Sequence, residues 1–336
     1  MEIAAIVAIS ASKRSDATSS QASPTMNGPL TRLSGLFTIR EVAQNVLGHN
    51  LIERTISRLR DLGITTTIVV PEMPSVGQLS FLKTLITGDS HSAWQRAIAR
   101  AIGQGAEHLL LLRSDVYTDL NYEDMIRSHI EQRAMLTSVY AADDPLDIAL
   151  LDSRVLGTNE CTPQIEAGAV IEDNRFFYQG YVNRLCGPED FMRLAEDGLH
   201  GNCGLSPNGA EVEPGIWLGE GAKIDDSCVI SGPCFVGAEV RVGTCCMLGD
   251  GTAIERGCAI DSGTAIEQSW VLPGTYVGVG LNVRHSIVSS RGIFHLGRNT
   301  EVSINDRRLI GPVRSRTWPS IGARFLTKLQ LSTLPH

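Results

Sequence analysis

Charged side chains that could bind a ligand follow two apolar segments of the chain. Lys13 and Arg14 come after the apolar run Ile3–Ile9, and Asp115 comes just after the run Leu109–Leu112. A cation on a loop that follows a strand can contact phosphate, and the alternative for Lys13 and Arg14 is a solvated loop. The two runs therefore mark the first places to look for a binding site.

The elements that position these side chains alternate between strands and helices. Periodicity predicts helices over 51–62, 93–102 and 122–132, and strands over 3–9, 64–70, 109–112 and 136–141. Asn121 can cap the third helix. Strand, helix, strand in this order predicts an α/β domain with right-handed crossovers and a mostly parallel sheet, which binds ligands at the carboxyl ends of its strands.

Charge and hydropathy exclude several kinds of partner. The net charge of −8 argues against nucleic acid or an anionic membrane, since either needs a basic face. Ile3–Ile9 is too short for a membrane span and lacks the basic flank of a signal peptide. We therefore expect a cytoplasmic protein without a membrane span, and cysteines that are thiols.

The C-terminal end departs from this acidic average. From Asp306 onward, six Arg or Lys residues face one acid, a net charge of +5. A solvated basic extension is the first interpretation, and packing on an acidic surface of the same or another subunit is the second.

A period of six residues organises the second half, where 18 of the 33 glycines lie between residues 201 and 300. From Leu218 to Leu272 every sixth residue is Leu, Ile or Val, ten in a row. The residue after each aliphatic is small or acidic, as a tight corner requires. Short strands that turn a corner every six residues form a left-handed parallel β-helix, in which each coil buries its inner face against the next.

Small residues stand four places after each aliphatic, and they include Cys228, Cys234, Cys246 and Cys258. Such cysteines are packing groups, and the paired CxxC spacing of a zinc site is missing. The phase then slips by one residue, Trp270 takes the small position, and we expect a less regular end up to about residue 304.

Hexapeptide helices also occur in acyltransferases, which use a histidine as general base. His285 and His295 follow the regular coils and are the candidates for that role. Neither stands in a recognisable acceptor motif, so an acyltransferase is the less favoured interpretation.

The order of parts resembles the sugar-1-phosphate nucleotidyltransferase family, notably its mannose-1-phosphate guanylyltransferase-like branch, which joins a Rossmann-like α/β domain to a left-handed β-helix. Three stretches carry the resemblance: "GHNLIERTISRLRDLGITTTIVV" from Gly48, "LLLLRSDVYTDL" from Leu109 and "GPEDFMRLAEDGLHG" from Gly187. "EAGAVI" from Glu166 is similar to the strand of the family's sugar pocket. The resemblance implies nucleotidyl transfer from a nucleoside triphosphate to a sugar 1-phosphate, with release of pyrophosphate.

The resemblance also implies where a nucleotide would bind. The family's glycine-rich loop "AAGxGTRL" corresponds to "AISASKRS", so Ser10, Ser12, Lys13 and Arg14 are the expected nucleotide-binding residues. Serines in place of both glycines restrict the positive φ that lets the backbone approach phosphate. Glu166 and Gly168 are the expected sugar-binding residues.

Of the two carboxylates that hold magnesium in the family, this sequence has a match for only one. Asp115 matches the first and is the expected metal ligand, whereas Arg184 or a neighbour in "NRLCGPED" falls at the second. A guanidinium repels a divalent cation, and one carboxylate holds magnesium poorly. Magnesium is the expected cofactor if the chain is active, and none is expected otherwise.

These observations predict a nucleotidyltransferase-like α/β domain over 1–200, a Gly/Pro/Asn-rich linker over 201–216, a left-handed β-helix over 217–305 and a basic extension over 306–336. The expected function lies in nucleotide-sugar metabolism, as a weak or noncatalytic member of the family. The alternative is a regulatory or structural subunit that binds a nucleotide sugar or a catalytic paralogue, as a homo-oligomer or a hetero-oligomer. The catalytic residues, the base and the sugar stay undetermined.

Overall fold

The computed structural model describes residues 2–8, 45–69, 93–159, 162–165 and 173–313, which form two compact units. The described part of the first unit comprises 2–8, 51–69, 93–159, 162–165 and 173–185, and that of the second comprises 45–50 and 186–313. Among these residues, no helix has the length and apolarity that a membrane crossing requires.

The first unit is built on a six-stranded sheet with strand order β2-β1-β3-β6-β5-β9. Its strands are β1 (Ile3–Ala8), β2 (Thr65–Val69), β3 (His108–Arg113), β5 (Leu136–Ala141), β6 (Asp144–Asp152) and β9 (Asp173–Phe177). Two short antiparallel pairs complete it: β4 (Val116–Thr118) with β10 (Val182–Arg184), and β7 (Leu156–Asn159) with β8 (Thr162–Ile165).

Three helices of this unit cover the two faces of the sheet. They are α1 (Leu51–Asp61), α2 (Ala93–Gly103) and α3 (Tyr122–Glu131). Alternate residues of β1 point to opposite faces: Ile6 packs in the cluster that contains residues of α2, and Ala5 packs with residues of α1 and α3. Asn121 caps α3 as predicted, since its side chain accepts a hydrogen bond from the Glu123 N–H at 3.0 Å.

The predicted α/β architecture is confirmed, but the sheet contains a strand that the sequence reading missed. β6 lies between β3 and β5 and runs antiparallel to both, while β1 pairs in parallel with β2 and β3. A hairpin links β5 to β6, with Ala142 at a φ of 53°. The sheet is therefore mostly parallel, with one antiparallel strand inserted at its centre.

The second unit contains the predicted parallel β-solenoid, with about four coils, and the helix α4 (Pro188–Leu199). Its strands are β11 (Ala210–Glu213), β12 (Ile216–Leu218), β13 (Lys223–Ile224), β14 (Val229–Ile230), β15 (Cys234–Val236), β16 (Arg241–Val242), β17 (Met247–Leu248), β18 (Thr252–Ile254), β19 (Ala259–Ile260), β20 (Ala265–Glu267), β21 (Trp270–Val271), β22 (Thr275–Val277), β23 (Asn282–Arg284), β24 (Ser286–Ser289), β25 (Gly292–His295), β26 (Thr300–Ser303) and β27 (Ile310–Pro312). β12 begins a face in which every third strand pairs in parallel.

The coils are eighteen residues long at first and seventeen later. Leu248 pairs with Ile266, eighteen residues on, whereas Ile254 pairs with Val271, seventeen residues on. The lost residue lies in the corner between Ile266 and Val271. The predicted slip of one residue is therefore confirmed, because Val271, Val277 and Val283 belong to the solenoid's interior cluster, whereas Leu272, the tenth residue of the period, does not.

The same shift places Trp270 outside the solenoid. Trp270 pairs with Ala253 on an outward column, is fully buried, and stacks on Phe191 of α4 at a centroid distance of 6.4 Å. The prediction that Trp270 takes a small inner position is wrong, because the five-residue corner moves it by one place and so to the other face of its strand.

Glycines serve the coils in two ways. Gly251 adopts a φ of 68° at a corner, a left-handed conformation that glycine adopts without strain. Gly219 has another role, since a Cβ there would lie 2.3 Å from the Ala238 nitrogen of the next coil. The corners that lose a residue use Gln268 at a φ of 43° and His285 at 46° instead.

Small inner residues bond each coil to the next. The Thr252 hydroxyl donates to the Ile266 carbonyl at 3.1 Å, and the Cys258 thiol donates to the Leu272 carbonyl at 3.1 Å. Cysteine and threonine thus do the same work inside the solenoid. The packing role predicted for these cysteines is confirmed by their place in the interior cluster.

The final part of the solenoid is less regular, as predicted. β25 pairs antiparallel with both β24 and β26, and β27 pairs antiparallel with β22. Ile310 of β27 is buried against the solenoid interior, so the stretch predicted as a basic extension begins with a packed strand.

A buried carboxylate fixes the segment that contains Leu47 and Gly48. Glu255 is fully buried, and its Oε1 accepts hydrogen bonds from the Leu47 N–H at 2.7 Å and the Trp270 indole N–H at 2.9 Å. Its Oε2 accepts the Gly48 N–H at 3.0 Å. Burial raises the pKa of Glu255 to about 7, against the lowering effect of these three donors.

Replacing Glu255 should destabilise the second unit in proportion to the donors left unpaired. Glu255→Ala leaves three buried N–H groups without an acceptor, and we expect a loss of about 3 kcal/mol or more in the free energy of unfolding. Glu255→Gln keeps one acceptor oxygen and should cost about half as much. Urea denaturation measures both, and an equal loss in the two variants would contradict the role of the hydrogen bonds.

His129 makes the first unit sensitive to acid. It is 1% exposed, and its Nδ1 lies 2.8 Å from the Thr137 hydroxyl oxygen. Burial, followed by the neighbouring His108, lowers the pKa of His129 to about 4. The folded state therefore resists protonation that the unfolded chain accepts below its ordinary pKa of 6.5.

The free energy of unfolding should consequently fall as the pH drops from about 6.5 toward 4, because the unfolded state binds more protons in that window. His129→Gln should flatten this slope, whereas the exposed His200→Gln should leave it unchanged. Denaturant titrations at several pH values measure the slope, and the same slope in both variants would refute the assignment.

Candidate functional site

A narrow cleft lies at the carboxyl ends of β1 and β3, where a parallel sheet is expected to bind ligands. It is bordered by α1 and β4. Arg54, Arg58 and Arg113 contribute to its lining, together with Tyr117 and Tyr122, and the lining contains no acidic side chain among the described residues. The cleft is therefore suited to an anion.

Arg58 is held in place by the backbone that follows β4. Its guanidinium donates to the Thr118 carbonyl at 3.2 Å and to the Leu120 carbonyl, and it lies 5.1 Å above the centre of the Tyr122 ring. These contacts fix the charge at the cleft without neutralising it, because carbonyls and a ring carry no net charge.

Arg113 bridges two carboxylates at the end of β3. Its Nη2 pairs with Asp115 Oδ2, and its Nη1 lies 3.2 Å from Asp147 Oδ2. The Arg113 and Asp115 side chains are 25% and 21% exposed, and that of Asp147 is 10% exposed. Asp115 and Asp147 are therefore joined by a protein cation in a partly dry setting.

Asp147 is the site residue that sequence reasoning missed. It lies in β6 at a φ of 52°, close to a register shift in the pairing of β5 with β6. A non-glycine residue in this conformation is strained, and such strain concentrates at functional sites. No sequence motif marks it, although its place in "DDPLDIALLD" after a strand was available as a weak signal.

Arg184 adds a second cation to this group. It pairs with Val116 across the β4–β10 ladder, and its guanidinium donates to the Pro145 carbonyl at 2.9 Å. Burial raises the pKa of Asp147, and the charges of Arg113 and Arg184 oppose this rise. The cluster Arg113, Asp115, Asp147 and Arg184, hereafter the arginine–aspartate cluster, is balanced in formal charge.

This arrangement does not fit a magnesium site. The two carboxylates face Arg113, and the described part of the chain contains no group of three His, Cys, Asp or Glu side chains that could hold a metal ion. Magnesium needs several oxygen ligands in near-octahedral geometry, which a guanidinium between the carboxylates opposes. The role of Asp115 as a metal ligand stays a prediction.

The other predicted site residues lie outside the described residues. This holds for the expected nucleotide-binding residues Ser10, Ser12, Lys13 and Arg14, and for the sugar-binding residues Glu166 and Gly168. In sequence the former follow β1, whose Val7 borders the cleft. Among the residues predicted to bind nucleotide, sugar or metal, Asp115 is thus the one whose surroundings the structure describes.

The two histidines considered for acyl transfer both belong to the irregular end of the solenoid. His285 lies at a corner and His295 in β25, and the Leu296 N–H donates to the His285 carbonyl at 2.8 Å. Their role as a general base stays a prediction without further support.

Comparisons with known proteins cover protein families, curated proteins and solved structures. No known protein family matches the chain, and no curated protein matches it. Among solved structures, the crystal structure of HddC from Yersinia pseudotuberculosis complexed with GMP-PN is similar with a TM-score of 0.35 and 13% identity, covering 59% of this chain and 99% of the HddC chain. At this TM-score the similarity assigns no function to this chain.

Removing the bridging cation should expose the repulsion between the carboxylates. Arg113→Met should lower the free energy of unfolding by about 1–3 kcal/mol at pH 7, because Asp147 loses its charged partner. The loss should shrink near pH 4, where Asp147, whose pKa is already raised by burial, takes up a proton.

Denaturant titration at both pH values measures this difference. Arg127→Met is the matched control, because Arg127 is exposed and forms only surface ion pairs with Glu123 and Asp124. A loss for Arg113→Met that is the same at pH 7 and pH 4 would contradict the electrostatic explanation.

Proposed function

We propose that this protein binds a nucleotide or a nucleotide sugar at the arginine-lined cleft and has lost metal-dependent nucleotidyl transfer. The observation that carries the proposal is the Arg113 guanidinium between Asp115 and Asp147. Its charge neutralises these carboxylates at the end of β3, at the position where the family resemblance implies a magnesium ion.

The cleft supports binding of a phosphate-bearing ligand. Arg54 and Arg58 project from α1, Arg113 projects from β3, and aromatic rings of Tyr117 and Tyr122 lie beside them. Guanidinium groups attract phosphate oxygens, and the aromatic rings give an apolar surface for the rest of the ligand. Lys13 and Arg14, which follow β1 in sequence, would add to the same positive charge.

The arginine–aspartate cluster supports the loss of transfer. Nucleotidyl transfer requires two carboxylates that hold a metal against the developing phosphate charge. Here the carboxylates are engaged by Arg113, and Arg184 lies near Asp147. A chain of this kind would act as a regulatory or structural subunit, alone as a homo-oligomer or together with a catalytic paralogue.

A panel of nucleoside diphosphate sugars tests binding by isothermal titration calorimetry. We expect at least one to bind, with an affinity that EDTA changes by less than about twofold. Arg54→Gln should weaken binding by roughly tenfold or more, the size of one charged hydrogen bond. Arg127→Gln, on an exposed surface, is the control and should bind like the wild type.

Pyrophosphate release tests the catalytic alternative. The wild-type chain with magnesium, nucleoside triphosphates and sugar 1-phosphates should release none above background. Magnesium-dependent release that Asp115→Asn abolishes would overturn the noncatalytic proposal and restore the family reaction. Co-purification with a second nucleotidyltransferase, followed by light scattering, separates the regulatory from the solitary form.

A further inference from the structure

Two cysteines lie next to each other on adjacent coils of the solenoid. Cys228 directly precedes β14 and Cys246 directly precedes β17, and these strands pair in parallel register. The Val229 N–H donates to the Cys246 carbonyl at 2.9 Å, which fixes the two positions side by side. Cys246 is buried in the interior cluster, and the partly buried Cys228 packs against that cluster.

The spacing of the strands permits a covalent link. Neighbouring strands lie about 4.8 Å apart, and disulfides join residues whose Cα atoms lie about 4.4–6.8 Å apart. A bond between Cys228 and Cys246 therefore needs side-chain rotation but no large movement of the backbone.

The two thiols differ in reactivity. Cys228 is half-buried, and its hydrogen bond with the Cys246 thiol lowers the pKa of Cys228 to about 7. The same contact, together with burial, raises the pKa of Cys246. Burial alone raises the pKa of Cys234 to about 12, and burial is also the main cause that raises the pKa of Cys258 to about 12. Since the thiolate is the nucleophile, Cys228 is the reactive member of the described inner cysteines.

We propose that Cys228 and Cys246 are a redox modification site, which closes to a reversible disulfide between two coils when the protein meets a peroxide. The Cys228 thiolate attacks a peroxide oxygen, the O–O bond breaks, and a sulfenic acid forms with release of hydroxide, or of water after protonation. The Cys246 sulfur then attacks the sulfenic sulfur, the S–S bond forms, and the S–O bond breaks with loss of a second water. Two thiols lose two electrons to one peroxide, and a dithiol reductant reverses the step.

Among the described residues, no other inner cysteine has a second cysteine beside it on the next coil. Cys234 is followed in its column by Thr252, and Cys258 pairs across the coils with Thr275. The exposed Cys245 is the competitor, since its N–H donates to the Ser227 hydroxyl oxygen at 2.8 Å in the coil of Cys228. Cys228 thus has one expected disulfide partner, Cys246, and one competing cysteine, Cys245.

Treatment of the reduced full-length protein with hydrogen peroxide, followed by alkylation and peptide mapping by mass spectrometry, tests the proposal. We expect one peptide pair joined through Cys228 and Cys246, which dithiothreitol separates. Cys228→Ser and Cys246→Ser should each abolish the pair, and both should fold, because Thr264 holds a hydroxyl in the same column. Circular dichroism and thermal melting check that they do.

Cys234→Ser is the matched control and should still form the pair at the wild-type rate, because its thiol lies in another column. A link between Cys228 and Cys245, oxidation that stops at sulfinic acid, or unchanged thiols after treatment would each overturn the proposal. A dithiothreitol-sensitive peptide pair that involves Cys246 and another cysteine, and that forms in Cys228→Ser as fast as the wild-type pair, would do so as well. Nucleotide binding is not needed for any of these readouts.

Discussion

Each coil of the solenoid has an inner face that it cannot bury alone, and this constraint governs the second unit. Neighbouring coils must repeat one another in register, so every inner position needs a residue that fits above and below. Thr252 and Cys258 meet this demand with a bond to the carbonyl of a later strand. Where one residue is lost after Ile266, the register shifts and Trp270 turns outward to stack on Phe191. The contacts of Trp270 with α4 and with Glu255 therefore follow from coil length.

The first unit is governed by another constraint, the balance of charge on the central strands β3 and β6 of its sheet. Asp115 and Asp147 would repel each other, and the protein compensates them with its own Arg113. An internal cation of this kind is always present, whereas a metal ion depends on its concentration. The cleft beside it retains the arginines of α1 and β3. The proposed recognition of a charged ligand and the proposed loss of metal chemistry are thus compatible in one site.

The sequence predicted the elements with strong local patterns. The helices of the first unit and the solenoid were found because their periods, 3.6 and six, are written in consecutive residues. β6 was missed, because Asp144, Pro145 and Asp147 interrupt its apolar run and its partners β3 and β5 are fixed only by the tertiary fold. Asp147 was missed for the same reason, since it meets Arg113 through sheet order rather than through spacing along the chain. Arg184 was found because a motif precedes α4.

The closing strand β27 gives the solenoid a finished end. It pairs antiparallel with β22, and β25 likewise pairs with β24, so two of the three faces have their last strand's backbone groups satisfied by the chain itself. Open strand edges invite further strands and lead to filaments. On these two faces the outermost strand is β26 or β27 and not a strand of a regular coil, so a second copy could not continue the coils in register there.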